Sequence, residues 1–297
     1  MTIYRFSHAL FLFVVAVLLV TQGKVGKTAQ PKSETRTQYA LVIGVSQYEP
    51  RELRSLRYSD SDASTFAKSL RETQYNVKLL STSEESEKKK DLPTVENIRT
   101  QLKDLVRKVK SNDDVILYFT GHAVQFRGDK LGPYLCPVDG SIADKKSLIA
   151  LSEVADSLQI SKARNMLLVL DIARTDPTAN FARSASFLAD IKSVTKPTTP
   201  RAGSFAVFVA CRSGQNAFES EKLKAGVFTY FLTQGWNGKA DIDGDHCITI
   251  SELTLFVGKS VKKYTQQEFE PLLQIPEVSG VFDPSWCLRK LPTLEKK

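Results

Sequence analysis

Val115-Ile-Leu-Tyr-Phe-Thr-Gly-His122 decides the fold. Its five apolar residues run without a polar interruption, so they do not alternate as a half-solvated strand would. They read as a strand buried on both faces, the pattern of a parallel sheet. The run leads into Thr-Gly-His, so the strand delivers a histidine at its C-terminal end. Outward from it, Tyr39–Val45, Met166–Leu170 and Phe205–Ala210 repeat the pattern, and Tyr75–Leu80 reads as a further strand. Between the strands lie segments of helical period. Asp60–Arg71 sets Ala63, Phe66, Ala67 and Leu70 on one face. Thr94–Val109 is amphipathic, with Pro93 near its first turn and Thr94 as a cap. Leu148–Leu158, Gly226–Leu232 and Ser251–Val261 also read as helices.

Strands alternating with helices define an α/β domain, a mostly parallel sheet flanked by helices on both faces, with right-handed crossovers. Sites in such sheets form beyond the C-terminal ends of the strands. That rule selects three loops: Thr120–Gly128, Asp171–Pro177 and Cys211–Glu219. Pro177–Arg201 is long and polar, with little periodicity, and no internal repeat occurs.

The 297 residues suffice for one substantial core or two small ones. With 42% hydrophobic and 25% charged residues the composition is that of an ordinary globular protein. The formal net charge of +8 comes from cations spread among acids, and Ser81–Lys90 carries both signs. No nucleic-acid-binding motif accompanies the charge, so nucleic acid is not an expected partner. The N-terminus departs from this pattern. Arg5 and His8 precede twelve apolar residues, Ala9 to Val20. A spanning helix needs about 20 such residues, whereas the apolar region of a signal peptide needs about 7–15. Residues 1–23 therefore read as a signal peptide or an N-terminal anchor, residues 24–38 as a polar linker, and the body as exported. Any membrane contact is expected only through that first segment. The cysteines are Cys136, Cys211, Cys247 and Cys287. None forms a C-x-x-C pair, which argues against zinc, and export permits disulfides whose pairing the sequence does not choose.

Several segments, taken in order, resemble the caspase-like peptidases, a group that includes metacaspases and bacterial caspase-domain proteins. Ala40-Leu-Val-Ile-Gly-Val45 resembles their first strand, and Ser61-Asp62-Ala63 the start of their first helix. Leu117-Tyr-Phe-Thr-Gly-His122 resembles the strand that presents the catalytic histidine, and Tyr134-Leu-Cys-Pro-Val-Asp139 the turn that follows. Leu168-Val-Leu-Asp-Ile-Ala-Arg-Thr-Asp-Pro177 resembles the strand of the cysteine nucleophile. The likeness runs from about Tyr39 to Val261, and the whole domain is assigned to residues 39–290, with 291–297 a basic tail.

The chemistry of that group needs a thiolate to attack the peptide carbonyl and a histidine to serve as acid and base. In caspases the histidine precedes the cysteine by about 50 residues. Counted from His122, that points to position 173, which is alanine. Asp171 matches the aspartate that, in metacaspases, helps to form the pocket for the residue before the cleaved bond. The strand is retained while its nucleophile is absent. In a serine protease, losing the nucleophile alone costs about 10⁶ in kcat. Ala210-Cys-Arg-Ser-Gly214 superficially resembles a nucleophile signature, but it lies 89 residues after His122 and has Val209 where an aspartate belongs. Cys211 is thus read as a pocket-edge or core cysteine, with a displaced nucleophile as the alternative. The resemblance places Cys211 and Arg212 near the specificity pocket. Thr175 has no evident base beside it.

Asp241-Ile-Asp-Gly-Asp-His-Cys-Ile-Thr-Ile-Ser-Glu252 follows the spacing of an EF-hand calcium loop. The candidate ligands are Asp241, Asp243, Asp245, the carbonyl of Cys247, Thr249 and Glu252. His246 stands where the motif has glycine for a left-handed turn. The competing reading is a turn that caps the following helix.

The sequence thus predicts a caspase-like protein with histidine base but no nucleophile, a binding or regulatory module for a peptide or protein. Two alternatives stand beside it: an active cysteine endopeptidase pairing His122 with a displaced nucleophile such as Cys211, and a calcium-dependent structural module.

Overall fold

The structure, a computed structural model, describes residues 36–49, 53–82, 89–126, 129, 132–175, 191, 203–212 and 214–292. In chain order the elements are β1 (Gln38–Gly44), α1 (Ser59–Arg71), β2 (Asn76–Ser81), α2 (Val95–Lys108), β3 (Asp114–Val124), β4 (Tyr134–Leu135), β5 (Ile149–Ala150), α3 (Leu151–Ile160) and β6 (Asn165–Thr175). There follow β7 (Phe205–Val209), β8 (Glu219–Ser220), β9 (Ala225–Gly226), α4 (Val227–Gln234), β10 (Cys247–Thr249), α5 (Ile250–Glu268), β11 (Glu277–Val281) and β12 (Cys287–Lys290).

The central sheet has the order β11-β7-β6-β3-β1-β2. Along that path every pairing is parallel except β11 against β7. Alternate residues of each strand serve opposite faces. Leu41, Ile43, Leu117 and Phe119 pack with Ile98 and Leu102 of α2 and with Val154 and Leu158 of α3. Ala40, Val42, Ile116 and Tyr118 pack with Phe66 and Leu70 of α1, Phe228 of α4, and Leu253 and Val257 of α5. Helices on both faces explain why the strands read as unbroken apolar runs.

The two site strands extend beyond the expected ends. β3 and β6 pair in register over their whole length, from Asp114 beside Asn165 to Val124 beside Thr175. β4 adds antiparallel to the far end of β3. These ladders hold Thr120-Gly-His122 and Asp171–Thr175 in strand, where loops are expected from sequence. α3 starts at Leu151 rather than Leu148, because Ile149 and Ala150 pair with β4. Thr94 caps α2 as expected, its Oγ1 accepting from the Asn97 N–H at 3.2 Å. The linker boundary shifts by a few residues, since β1 begins at Gln38 and Arg36 is already fixed by an ion pair to buried Asp114.

The C-terminal part makes one excursion along the sheet. α4 leaves the C-terminal ends of the strands and leads to Trp236, which packs edge-on to Tyr75 at the other end. α5 returns, and Gln274 Nε2 donates to the Ala210 carbonyl at 2.9 Å beyond β7. β11 then runs back, and β12 pairs with β10 at the N-terminal end of the sheet, where a Cys247–Cys287 disulfide joins the two. The expected segment 1–23, nearly all of 177–201 and residues 293–297 lie outside the described residues. Among the described residues, no helix is long and apolar enough to cross a membrane.

Candidate functional site

Register places His122 of β3 directly beside Ala173 of β6. Adjacent strands stand about 4.8 Å apart, so the two positions are as close as a nucleophile and its base need to be. His122 is buried. Its Nε2 lies 2.7 Å from the Arg54 carbonyl oxygen. A carbonyl can only accept, so Nε2 carries the proton and, in the neutral ring, Nδ1 holds the lone pair. The backbone N–H of His122 donates to the Tyr48 hydroxyl at 2.8 Å, and the two rings meet edge-on at 4.9 Å. Burial pushes the Tyr48 phenol pKa well up, so the hydroxyl stays protonated and donates in turn to the Cys136 carbonyl at 3.4 Å. Gly121 makes room for this arrangement: a Cβ there would come within 2.6 Å of the Tyr48 hydroxyl.

A second group sits one strand level below. Asp171 pairs in register with Thr120 and is buried. Asp62 of α1 is buried close by, and both carboxylates crowd Gly226, where a Cβ would meet Asp62 Oδ2 at 2.8 Å and Asp171 Oδ2 at 3.1 Å. The Gly226 N–H donates to Asp62 at 2.8 Å, and the Thr229 hydroxyl donates to Asp171 at 2.7 Å. Glu219 completes the acidic wall, its Oε1 accepting the Arg57 and Tyr58 N–H groups at 2.9 Å each. Burial raises the Asp171 pKa to about 6 against the hydrogen bond from Thr229, with Glu219 adding to the rise. Burial also drives the Asp62 pKa well up, and the neighbouring Asp171 charge pushes the same way. Leu56, Thr120, Ala217 and Phe218 close a cavity of about 30 Å³ over these acids. That is room for one or two groups of water size, such as an ammonium.

The structure brings His122, Ala173 and Asp171 together, but not the other two pocket residues expected from sequence. Neither Cys211 nor Arg212 lines the acidic cavity. Cys211 follows β7, which is separated from β3 by β6, so it stands two strand spacings, about 10 Å, from the line of His122. Its thiol is buried and donates to the Gln215 carbonyl at 3.5 Å. Sequence reasoning missed Asp62, Glu219, Thr229 and Tyr48. A signal for Asp62 was present, since it precedes Phe66 by four residues and so shares the apolar face of its helix.

The family model for the caspase domain matches residues 37–282, the span that carries this sheet and both residue groups. The chain belongs to the caspase family. Comparison with curated proteins finds no match in sequence. Among solved structures, this caspase domain is similar to protein GSU0716 from Geobacter sulfurreducens, at 16% identity and a TM-score of 0.57, over 84% of this chain and 94% of that one. At that identity the likeness concerns the fold alone.

Away from the cleft of the caspase domain, Asp241, Asp243 and Glu252 bring one carboxylate oxygen each within 4.8 Å of one another. His246 takes the left-handed φ of +64° at the position where the EF-hand motif has glycine. The same loop starts α5 with a reciprocal cap. Thr249 Oγ1 accepts from the Glu252 N–H at 3.2 Å, while Glu252 Oε2 accepts from the Thr249 N–H at 2.9 Å. Burial would raise the Glu252 pKa, but the Thr249 donors and the Ile242 N–H hold it below the ordinary value. The Asp245 carboxylate accepts the Cys247 N–H at 2.7 Å, and Cys247 is tied to Cys287.

Proposed function

We propose that this protein is a catalytically inactive caspase homologue, exported from the cytoplasm, that binds a basic side chain of a peptide or protein partner and regulates by binding alone. The observation that carries the reading is Ala173 in register beside His122. The methyl group of alanine offers no electron pair to a carbonyl, whereas the base and the acidic cavity beside it are intact. Asp62, Asp171 and Glu219 favour a cation, and the small cavity favours a lysine ammonium over the larger guanidinium of arginine. The Cys247–Cys287 disulfide supports an oxidising compartment. The alternative of an active peptidase through Cys211 is disfavoured by the intervening strand.

The test is titration with lysine- and arginine-bearing peptides, together with reporter-peptide hydrolysis. Binding that weakens in Asp171→Asn, without hydrolysis, is the expected result. Hydrolysis that disappears in Cys211→Ala would replace this reading with the active peptidase.

A second reading is favoured by the convergent carboxylates of Asp241, Asp243 and Glu252: the loop binds calcium and stabilises the fold. Stabilisation should then reach about 2.7 kcal/mol at a hundredfold excess over Kd. Asp241→Ala should abolish the gain and His246→Gly should increase it. Identical melting curves in millimolar calcium and in chelator would leave the loop as a helix cap.

A further inference from the structure

Beyond the His122 strand, two aromatic rings and a carboxylate gather around the ammonium of Lys145. Phe126, two residues past the end of β3, meets Tyr134 of β4 edge-on, with ring centroids 5.5 Å apart and planes at 77°. The Lys145 ammonium sits 4.5 Å from the Phe126 centroid and 6.0 Å from that of Tyr134. Asp129 closes the third side, 2.6 Å from the same nitrogen. The Tyr134 hydroxyl donates to that carboxylate at 3.0 Å, which fixes the acid relative to the ring. Two aromatic faces and a held carboxylate around one ammonium are the elements of a cation cage.

We propose that this cage is a recognition site for a partner's lysine or methylated lysine, and that Lys145 is a tethered surrogate which leaves when the partner binds. Three observations support exchange over a permanent clamp. Asp129 is largely buried, with 11% of its side chain exposed, so its attraction for an ammonium is little screened by water. Lys145 is half exposed at 49%, so its ammonium can pass into water without crossing packed protein. One cation replacing another leaves the charge and desolvation of the cage unchanged, so the exchange carries little electrostatic penalty. The cage lies four residues along the chain from His122, on the order of 13 Å in extended backbone. A peptide crossing the cleft can therefore present a basic residue to it. The inference stands apart from the acidic cavity and does not need it to be occupied.

The experiment uses the tetramethylammonium ion as probe, followed by the ring resonances of Phe126 and Tyr134 in NMR spectra of the full chain. A tethered competitor at millimolar effective concentration should weaken binding by about tenfold, so Lys145→Gln should bind the probe about tenfold more tightly than the native protein. Binding to Lys145→Gln should vanish on adding Phe126→Leu and should be unchanged by Asp171→Asn, which reports on the acidic cavity alone. Equal affinities for the native protein and Lys145→Gln would overturn the proposal, as would ring shifts that ignore the probe in both.

Discussion

At the scale of single residues, the pair His122 and Ala173 separates geometry from reactivity. The imidazole is held by the Arg54 carbonyl through Nε2 and by the Tyr48 hydroxyl through its backbone N–H. Both of these partners come from the segment after β1 and not from the neighbouring strand, so they hold the imidazole whatever residue stands at 173. Ala173→Cys should consequently acquire a thiol whose pKa lies below the ordinary value of about 8.5. Alkylation rates against pH would show it, and the native Cys136 and Cys211, both buried, provide the background. A thiol of ordinary pKa would mean that His122 no longer addresses the position.

Asp171 makes the opposite point, a reactive group whose state is set by burial. Its folded pKa of about 6 lies above the ordinary 3.8, so between those values the folded state binds more protons than the unfolded one. Stability therefore falls as pH rises through this window, by about 3 kcal/mol for a shift of this size. The Asp62 pKa is raised as well and acts in the same direction. Denaturant titrations from pH 4 to 7 should show the decline, and Asp171→Asn should flatten it. A stability that rises across the window would contradict the assignment. The cation proposed for the cavity would reverse the loss, because it binds only the ionised acid.

At the scale of elements, the disulfide closes a segment of 40 residues that contains α5 and β11. Loop-closure entropy for that length amounts to about 4 kcal/mol. Cys287→Ser should lower the unfolding free energy by an amount of this order, measured in guanidinium under non-reducing conditions. An unchanged midpoint would show that the unfolded chain gains no freedom from the cut. This region was also the least legible in the sequence. β10, β11 and β12 are short, and β11 carries Gly280 at φ +119°, so none shows the long apolar run that marked the parallel strands. Those strands were readable because they are buried on both faces, where composition alone identifies them. Their ends were not readable. Gly121, His122 and Asp171 look like loop residues, and only pairing across β3 and β6 keeps them in strand.

At the scale of the whole molecule, the same asymmetry holds for the site. The sequence supplied His122 and Asp171 through the resemblance of their strands to those of the family, and Ala173 by counting on from His122. The remaining members come from two regions far apart in sequence, Tyr48 and Asp62 from β1 to α1 and Glu219 and Thr229 from the β8–β9 to α4 turn. Their joint presence follows from strand order, which periodicity does not encode. Cys211 shows the same limit from the other side. Its local sequence resembles a nucleophile signature, and only the order β7-β6-β3 sets it apart from the base.

The ion pair between Arg36 and Asp114 bears on how the protein is presented to others. Asp114 opens β3, and His122 lies eight residues further along, roughly 26 Å of extended strand away. The last described residues are held at that same far end, where the Leu291 N–H donates to the His246 carbonyl at 2.8 Å and Arg36 donates to the Cys287 carbonyl at 3.1 Å. Both ends of the folded body thus emerge at the rear of the cleft. An immobilising tag joined at Arg36 or Leu291 would therefore attach at the end of the sheet opposite His122 and is expected to leave that residue's end clear. A surface-capture assay of the proposed binding with such a tag would then present the His122 end of the sheet to solution.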